Sequence, residues 1–273
     1  MVNEQEYIEA KEQYANKILH EIDLSKELDG FFFKIANDTE RKFVESGDVN
    51  DAESYKEELL LLLLAQYRKV ANDFGNTVFR RSDKIINDKI NFVAYNRNTT
   101  ATQQKQNIAD IKKNEINKFI DSQIKLSANE ITTTTQNKIS NSILTAAGLG
   151  LDDLEVTGKI IRENFNASND YRSKLIALTE TQNAAEGSKA IEAETYNNYL
   201  NAFGAGIVTR KTWVSLMDGR ERVAHGDANG QTRFIGEPFE VMGEFLQEPR
   251  DLSLGASAGN TCGCRCSAIY TFR

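Results

Sequence analysis

The sequence predicts an α+β protein: an elongated, mostly helical N-terminal region (residues 1–150) followed by a small C-terminal α+β module with short strands (residues 151–273). Three observations carry this reading. Apolar residues in the first two hundred positions recur at helical spacing. The 273 residues hold only two prolines, Pro238 and Pro249, against a usual share of ~5%. Proline breaks helix interiors, so a chain without it before position 238 can keep long helices intact. After Lys211 the texture changes. Short apolar groups (WVSLM, RFIG, FEVMG, AIYTF) alternate with Gly, Asp, Asn and Pro, the signature of short strands and hairpins.

The elements follow in order. Residues 4–45 read as helix, with Tyr7, Ala10, Tyr14, Ile18 and Ile22 as the apolar stripe. Gly30 with Phe31, Phe32 and Phe33 either interrupts this helix or joins two. Residues 46–51 form a loop, and Asp51 or Ser54 can cap the next helix, which runs through Leu59–Leu64 to about Phe74. Six consecutive leucines leave no polar face over more than one turn, so that turn is buried on all sides or packs into a partner; burial within the chain is expected. Asp83–Phe92 is helical and 96–104 is a polar loop. Ile108, Ile111, Ile116, Phe119, Ile120 and Ile124 mark a long helix, weakened but not broken at Thr132–Thr135. The glycines of 146–153 make a hinge before a short helix over 153–166. Residues 168–203 supply two helices divided near Gly187, ended by left-handed glycine caps at Gly204 and Gly206.

Composition narrows the function. No segment reaches the ~18 apolar residues of a membrane helix, so no membrane partner is expected. The acidic start, MVNEQEYIEA, lacks the apolar core of a signal peptide. Synthesis in a bacterial cytosol, with free thiols, is therefore expected. The net charge of −7 is unevenly spread: −9 over residues 1–67, +6 over 68–125, −3 over 126–157 and −1 over 158–273. This alternation argues against a general polyanion binder and leaves one basic segment for nucleic acid or an acidic partner.

Four sets of residues could carry chemistry. His225 with Cys264 and Cys266, and Cys262 or Asp218 as a further ligand, offers the nitrogen and sulfur donors of a structural zinc site. The competing reading is buried thiols and a hydrogen-bonded core histidine. One of the cysteines with His225 as base could act as a nucleophile, but no cysteine sits in a Gly-bounded elbow or at a visible helix start. A polar lock is favoured for Asp218, Arg220, Arg222 and Arg265. The arginines can pair with Asp218, Glu221, Asp251 or backbone carbonyls and fix loops that have few ladder bonds. Finally, the basic segment offers Arg80, Arg81, Lys84, Lys112 and Lys113, with Arg68, Lys69, Lys89, Arg97 and Lys105, for phosphate contact. Against this stands an ordinary solvated face, with the nearby Phe74, Phe79, Phe92 and Tyr95 mostly in a core stripe.

The order of the scarce residues is itself informative. Lys211-x-Trp213 is followed by Asp218-x-Arg220-x-Arg222-x-x-His225, then Pro238-Phe239, Pro249-x-Asp251 and Cys264-Arg265-Cys266, with Thr179-Glu-Thr-Gln-Asn-Ala184 upstream. This order, over roughly residues 170–270, resembles the phage Mu F-like, or phage head morphogenesis, family of minor capsid proteins. Three positions depart from the family's pattern: Leu178 replaces an Arg, Gly263 replaces an Asn, and Cys262 is an extra thiol. The resemblance implies a minor head protein of a tailed phage or prophage. Such a protein is made in the host cytoplasm and packaged inside the procapsid near the portal vertex, so it resides in the virion. Its implied partners are the portal protein and a scaffold or major capsid protein, with double-stranded DNA as a further contact. It implies no catalysis; the cofactor expected is none, or the one structural zinc that the His225, Cys264 and Cys266 donors offer. The rival is an enzyme or toxin-like module using His225 and a C-terminal cysteine. In some relatives an effector domain follows the module, whereas this chain stops at Arg273.

Overall fold

The computed structural model describes residues 2–149 and 153–273, with the side chain of Arg81 outside the described ones. The domain boundary expected after residue 150 thus lies outside the described residues. Of the hinge expected over 146–153, the preceding helix runs on to Ala147, 148–149 form a turn, and 150–152 lie outside the described residues. Helices come first: α1 (Glu4–Ser46), α2 (Lys56–Phe74), α3 (Thr77–Asn96), α4 (Ala101–Ala147), α5 (Leu154–Asn166) and α6 (Asn169–Ala202). Then come β1 (Thr209–Val214), α7 (Val223–Asp227), β2 (Thr232–Phe234), β3 (Phe239–Val241), β4 (Glu244–Leu246), α8 (Ala258–Thr261) and β5 (Ser267–Phe272). The α+β class holds: a long helical region precedes a small module of short antiparallel strands. Among the described residues no helix is long and apolar enough to cross a membrane.

By contacts the chain forms two compact units. One comprises 1–19, 68–120 and 181–273; the other comprises 20–67 and 121–180. Helices α1, α2, α4 and α6 each contribute a segment to both.

In the first unit β1 is the centre of a three-stranded antiparallel sheet, ordered β2-β1-β5. Lys211 stands opposite Arg233 on one side, and Trp213 stands opposite Ala268 on the other. A separate hairpin pairs β3 with β4. The core joins Val78, Ile86, Ile90 and Val93 of α3 to Ala193, Tyr196 and Leu200 of α6. It continues through Trp213, Phe239, Cys264, Cys266 and Phe272. Gly204 and Gly206 end α6 with φ of +74° and +60°, the left-handed caps expected there.

The second unit buries Leu24, Leu28, Phe32 and Ile35 of α1 with Leu59 and Leu63 of α2 and Phe165 of α5. Arg172 lies over the Phe32 ring at 4.1 Å and donates to the carbonyl of Ile131 and the hydroxyls of Thr134 and Thr135. The leucine run is not buried all round. Leu59 and Leu63 face inward while Leu61 is 64% exposed, so one helical face suffices.

Three local expectations are corrected. Helix α1 runs unbroken through Gly30. Its inward face is also rotated from the expected stripe. Of that stripe Ala10 is buried, but Ile18 and Ile22 are exposed, whereas Gln13, Lys17, Leu24 and Leu28 are buried. Polar residues occupy the inner face because they find partners there. Helix α6 likewise continues through Gly187, where a Cβ would stand 2.1 Å from the Phe119 ring. That glycine permits a close helix crossing; it does not end a helix.

Candidate metal centre

Three elements bring His225, Cys264 and Cys266 together. The last residues of β1 and the turn after it carry Trp213 and Ser215. The single-turn α7 lifts His225 inward, and the chain entering β5 supplies the cysteines. The Trp213 ring meets His225 edge-on at 5.7 Å and Phe239 at 5.4 Å. The Ser215 hydroxyl donates to the His225 carbonyl at 2.5 Å and lies 3.3 Å from Cys266 Sγ. The Nδ1 of His225 is 3.4 Å from Cys264 Sγ and 3.5 Å from Cys266 Sγ. All three ligand atoms lie within 4.8 Å of one another, in residues at most 3% exposed. The amide of Cys266 donates to Cys264 Sγ at 3.4 Å.

The thiols are unequal. Cys264 is held well below the usual thiol range, first by the hydrogen bond from Cys266 and then by His225, against the opposing effect of burial. Cys266 is pushed up, as the donor to Cys264 and by burial. Such a group of soft sulfur and imidazole donors can hold a metal ion. A cavity of about 120 Å³ adjoins it, lined by Arg220, Glu221 and Arg222 as well as by the three ligands.

The further ligands considered from the sequence are not in the cluster. Cys262 is half-buried and outside it; its carbonyl accepts from Arg222 Nη2. Asp218 is occupied elsewhere. Arg265 grips it bidentately, Nη1 to Oδ2 at 2.6 Å and Nη2 to Oδ1 at 3.1 Å. Arg220 adds bonds of 2.5 and 3.1 Å to Oδ2. These two guanidinium groups, Arg265 first, hold the Asp218 carboxyl well below its usual range. Glu221 accepts from the amide of Gly219 at 2.9 Å. Asp251 accepts from the amides of Gln247 and Ser253 at 2.8 and 2.7 Å, not from an arginine of this group. Gly263 has φ +65°. Gly and Asn are the residues that best tolerate that conformation, which fits Gly263 to the place where the resembling family carries Asn.

The basic residues do not form one surface. Lys112 is turned inward, donating to Gly75 O at 2.9 Å and Asn76 Oδ1 at 2.5 Å. Lys89 donates to Ala205 O, and Arg97 stacks over Phe203 at 4.0 Å. Arg80, Lys84 and Lys113 are exposed. Phe92 and Tyr95 point outward, 45% and 86% exposed, which corrects their place in the core stripe.

Sequence reasoning missed a buried charge network. Lys17 Nζ lies 2.6 Å from Glu186 and donates to Gln182 at 2.9 Å and Ser267 at 3.1 Å. Lys189 lies 2.9 Å from the same carboxylate and donates to Gln13 at 2.7 Å and to Ala268 O at 3.1 Å. Glu186 also accepts from Ser267 Oγ at 2.8 Å and the amide of Ala268 at 2.9 Å. The network joins α1, α6 and β5. Burial opposes ionisation of Glu186, but the two lysines overcome it and bring its carboxyl to about 2. Burial brings Lys189 down to about 8, against the pull of Glu186. The one signal in the sequence was a lysine seven residues after Ala10 on a helical stripe.

No protein-family model matches the chain, and no solved structure matches it. A curated protein does: the NAD(+)–arginine ADP-ribosyltransferase EFV of Enterococcus faecalis, 27% identical over 132 residues. The match takes in 48% of this chain and 25% of that protein, so the chain spans about a quarter of its relative's length. A relative named as a transferase overturns the expectation that no enzyme is involved, and that exclusion is withdrawn.

Proposed function

We propose that this chain is a minor head protein of a tailed phage or prophage, working in the virion near the portal vertex. Its partners in this reading are the portal protein and a scaffold or major capsid protein, with the genome within reach. The observation that supports it is convergence. Residues of the C-terminal motifs whose order resembles the head-morphogenesis family close on one another in space: Asp218 on Arg265, and Trp213 and both cysteines on His225. They brace a module with few ladder bonds, which then presents rigid loops for docking. Particles of the encoding phage should contain the chain in few copies, and the tagged chain should co-purify with portal rings. Particles free of it would sink the reading.

The same reading takes zinc as the ion of the His225–Cys264–Cys266 centre. Tetrahedral bonds of ~2.3 Å to sulfur and ~2.05 Å to nitrogen place S and N about 3.6 Å apart. The two spacings here, 3.4 and 3.5 Å, fit. The adjoining cavity leaves room for a fourth ligand such as water.

The name of the E. faecalis relative favours a second reading, transfer of ADP-ribose from NAD+ to arginine. Within this chain Cys264 has the proximity to His225 that a nucleophile and base need. Its thiolate would displace nicotinamide from the ribose of NAD+, and the arginine guanidinium, losing a proton, would then displace the thiolate. Labelled NAD+ offered with polyarginine separates the readings. Incorporation that Cys264→Ser abolishes supports transfer by this pair. Its absence with the wild-type chain removes the second reading.

A further inference from the structure

The end of α2, the turn into α3 and the first half of α4 surround a cavity of about 300 Å³. Its polar lining is Arg68, Asn72, Asn76, Lys112, Lys113 and Asn117, and no carboxylate lines it. We propose that this cavity binds a phosphate oxyanion, either the phosphodiester of a nucleic-acid backbone or a free phosphate monoester. The inference does not depend on the head-protein reading.

The donor inventory carries it. An ammonium has three N–H donors. Lys112 spends one on Gly75 O and one on Asn76 Oδ1, which leaves one for a ligand. Its ammonium is fixed by those bonds, with the side chain only 14% exposed. Arg68 and Lys113 have no ion-pair partner among the described residues, and the carboxamides of Asn72 and Asn117 have no hydrogen-bond partner there. The cavity therefore gathers three cations and two amide groups with donors to spare. Oxyanions are bound by such charge-assisted hydrogen bonds.

Gly75 shapes the floor. A Cβ there would stand 2.6 Å from Ala71 O and 3.2 Å from the Ile116 side chain. The Glu192 carboxylate lies 3.9 Å from Lys112. It is turned to the start of α3, accepting from the amides of Val78 and Phe79 at 2.9 and 3.3 Å. It therefore fixes Lys112 from behind without entering the cavity.

The test follows the side-chain amide signals of Asn72 and Asn117 in the full chain by NMR. Inorganic phosphate is titrated at constant ionic strength set with chloride, followed by a nucleoside monophosphate and then a short DNA duplex. Phosphate should shift both signals to saturation. The double variant Arg68→Gln/Lys113→Gln alters exposed side chains only and should keep its melting temperature. It should bind about tenfold more weakly or worse, the loss of charge-assisted bonds. Asn117→Asp, equal in shape but without the amide donor, should weaken binding likewise. Saturation by the duplex at far lower concentration identifies the backbone as the source, and saturation by the monoesters alone identifies a small ligand. No saturation by any probe up to ~20 mM, weaker than a millimolar site, or wild-type binding by the double variant, overturns the proposal.

Discussion

Replacing Glu186 with Gln should cost the fold about 3 kcal/mol at pH 7. The change keeps the size of the side chain but removes the carboxylate that meets both Lys17 and Lys189, at 2.6 and 2.9 Å. All three side chains are buried, Glu186 and Lys17 completely. The Glu186 carboxyl falls from 4.5 to about 2 on folding, a difference worth about 3 kcal/mol. Breaking a buried ion pair by removing one partner typically costs ~3–5 kcal/mol, since it strands a buried charge. The sign with pH follows from the same shift. Between pH 4.5 and about 2 the unfolded chain binds the extra proton, so the wild type has this stability above 4.5 and loses it as pH falls toward 2. The variant should lack that acid limb. In the wild type burial holds Lys189 at about 8, so stability also rises with pH between about 8 and 10.5; in the variant, without the raising pull of Glu186, this recovery should begin at lower pH. Urea midpoints for both proteins across this range make the measurement. A loss under ~0.5 kcal/mol, ordinary for a surface change, would refute the network's role.

Gly187→Ala should destabilise by ~1–3 kcal/mol in urea unfolding, since the added methyl overlaps the Phe119 ring. Asp218→Asn should loosen Arg265 and Arg220 and raise the rate of proteolysis near 217–222; its stability cost stays near ~1 kcal/mol because the site is partly solvated. Glu192 is raised to about 7, by burial above all. The folded state then holds the extra proton between pH 4.5 and 7, and stability falls as pH rises through that window. Glu192→Gln should flatten this slope in thermal melts.

How far the sequence could be read depended on whether a feature was local. Proline-free periodicity made the long helices legible, and Gly204 and Gly206 were legible as caps because each acts on its own backbone. Gly187 was not, because its reason lies in Phe119, far along the chain. The inner face of α1 was misplaced by the assumption that apolar residues point inward. Lys17 points inward because Glu186 waits there, at a separation of 169 residues. His225 and the two cysteines stood out because such residues are scarce, while Cys262 could be separated from them only by geometry. Nor could the sequence show that Lys112 faces Gly75 and Asn76, so the basic segment read as one surface when it is several separate sites.

The most direct test of the account is the metal content of the full chain purified at neutral pH without chelator, with sulfur ligation read from X-ray absorption at the zinc edge. About one zinc per chain is expected, with two sulfur neighbours at ~2.3 Å and one imidazole nitrogen at ~2.0–2.1 Å. Cys264→Ser and Cys266→Ser should each lose the ion, and chelation should lower the unfolding midpoint of the wild type. A fully folded, metal-free chain with titratable thiols, its stability unmoved by added zinc, would contradict it.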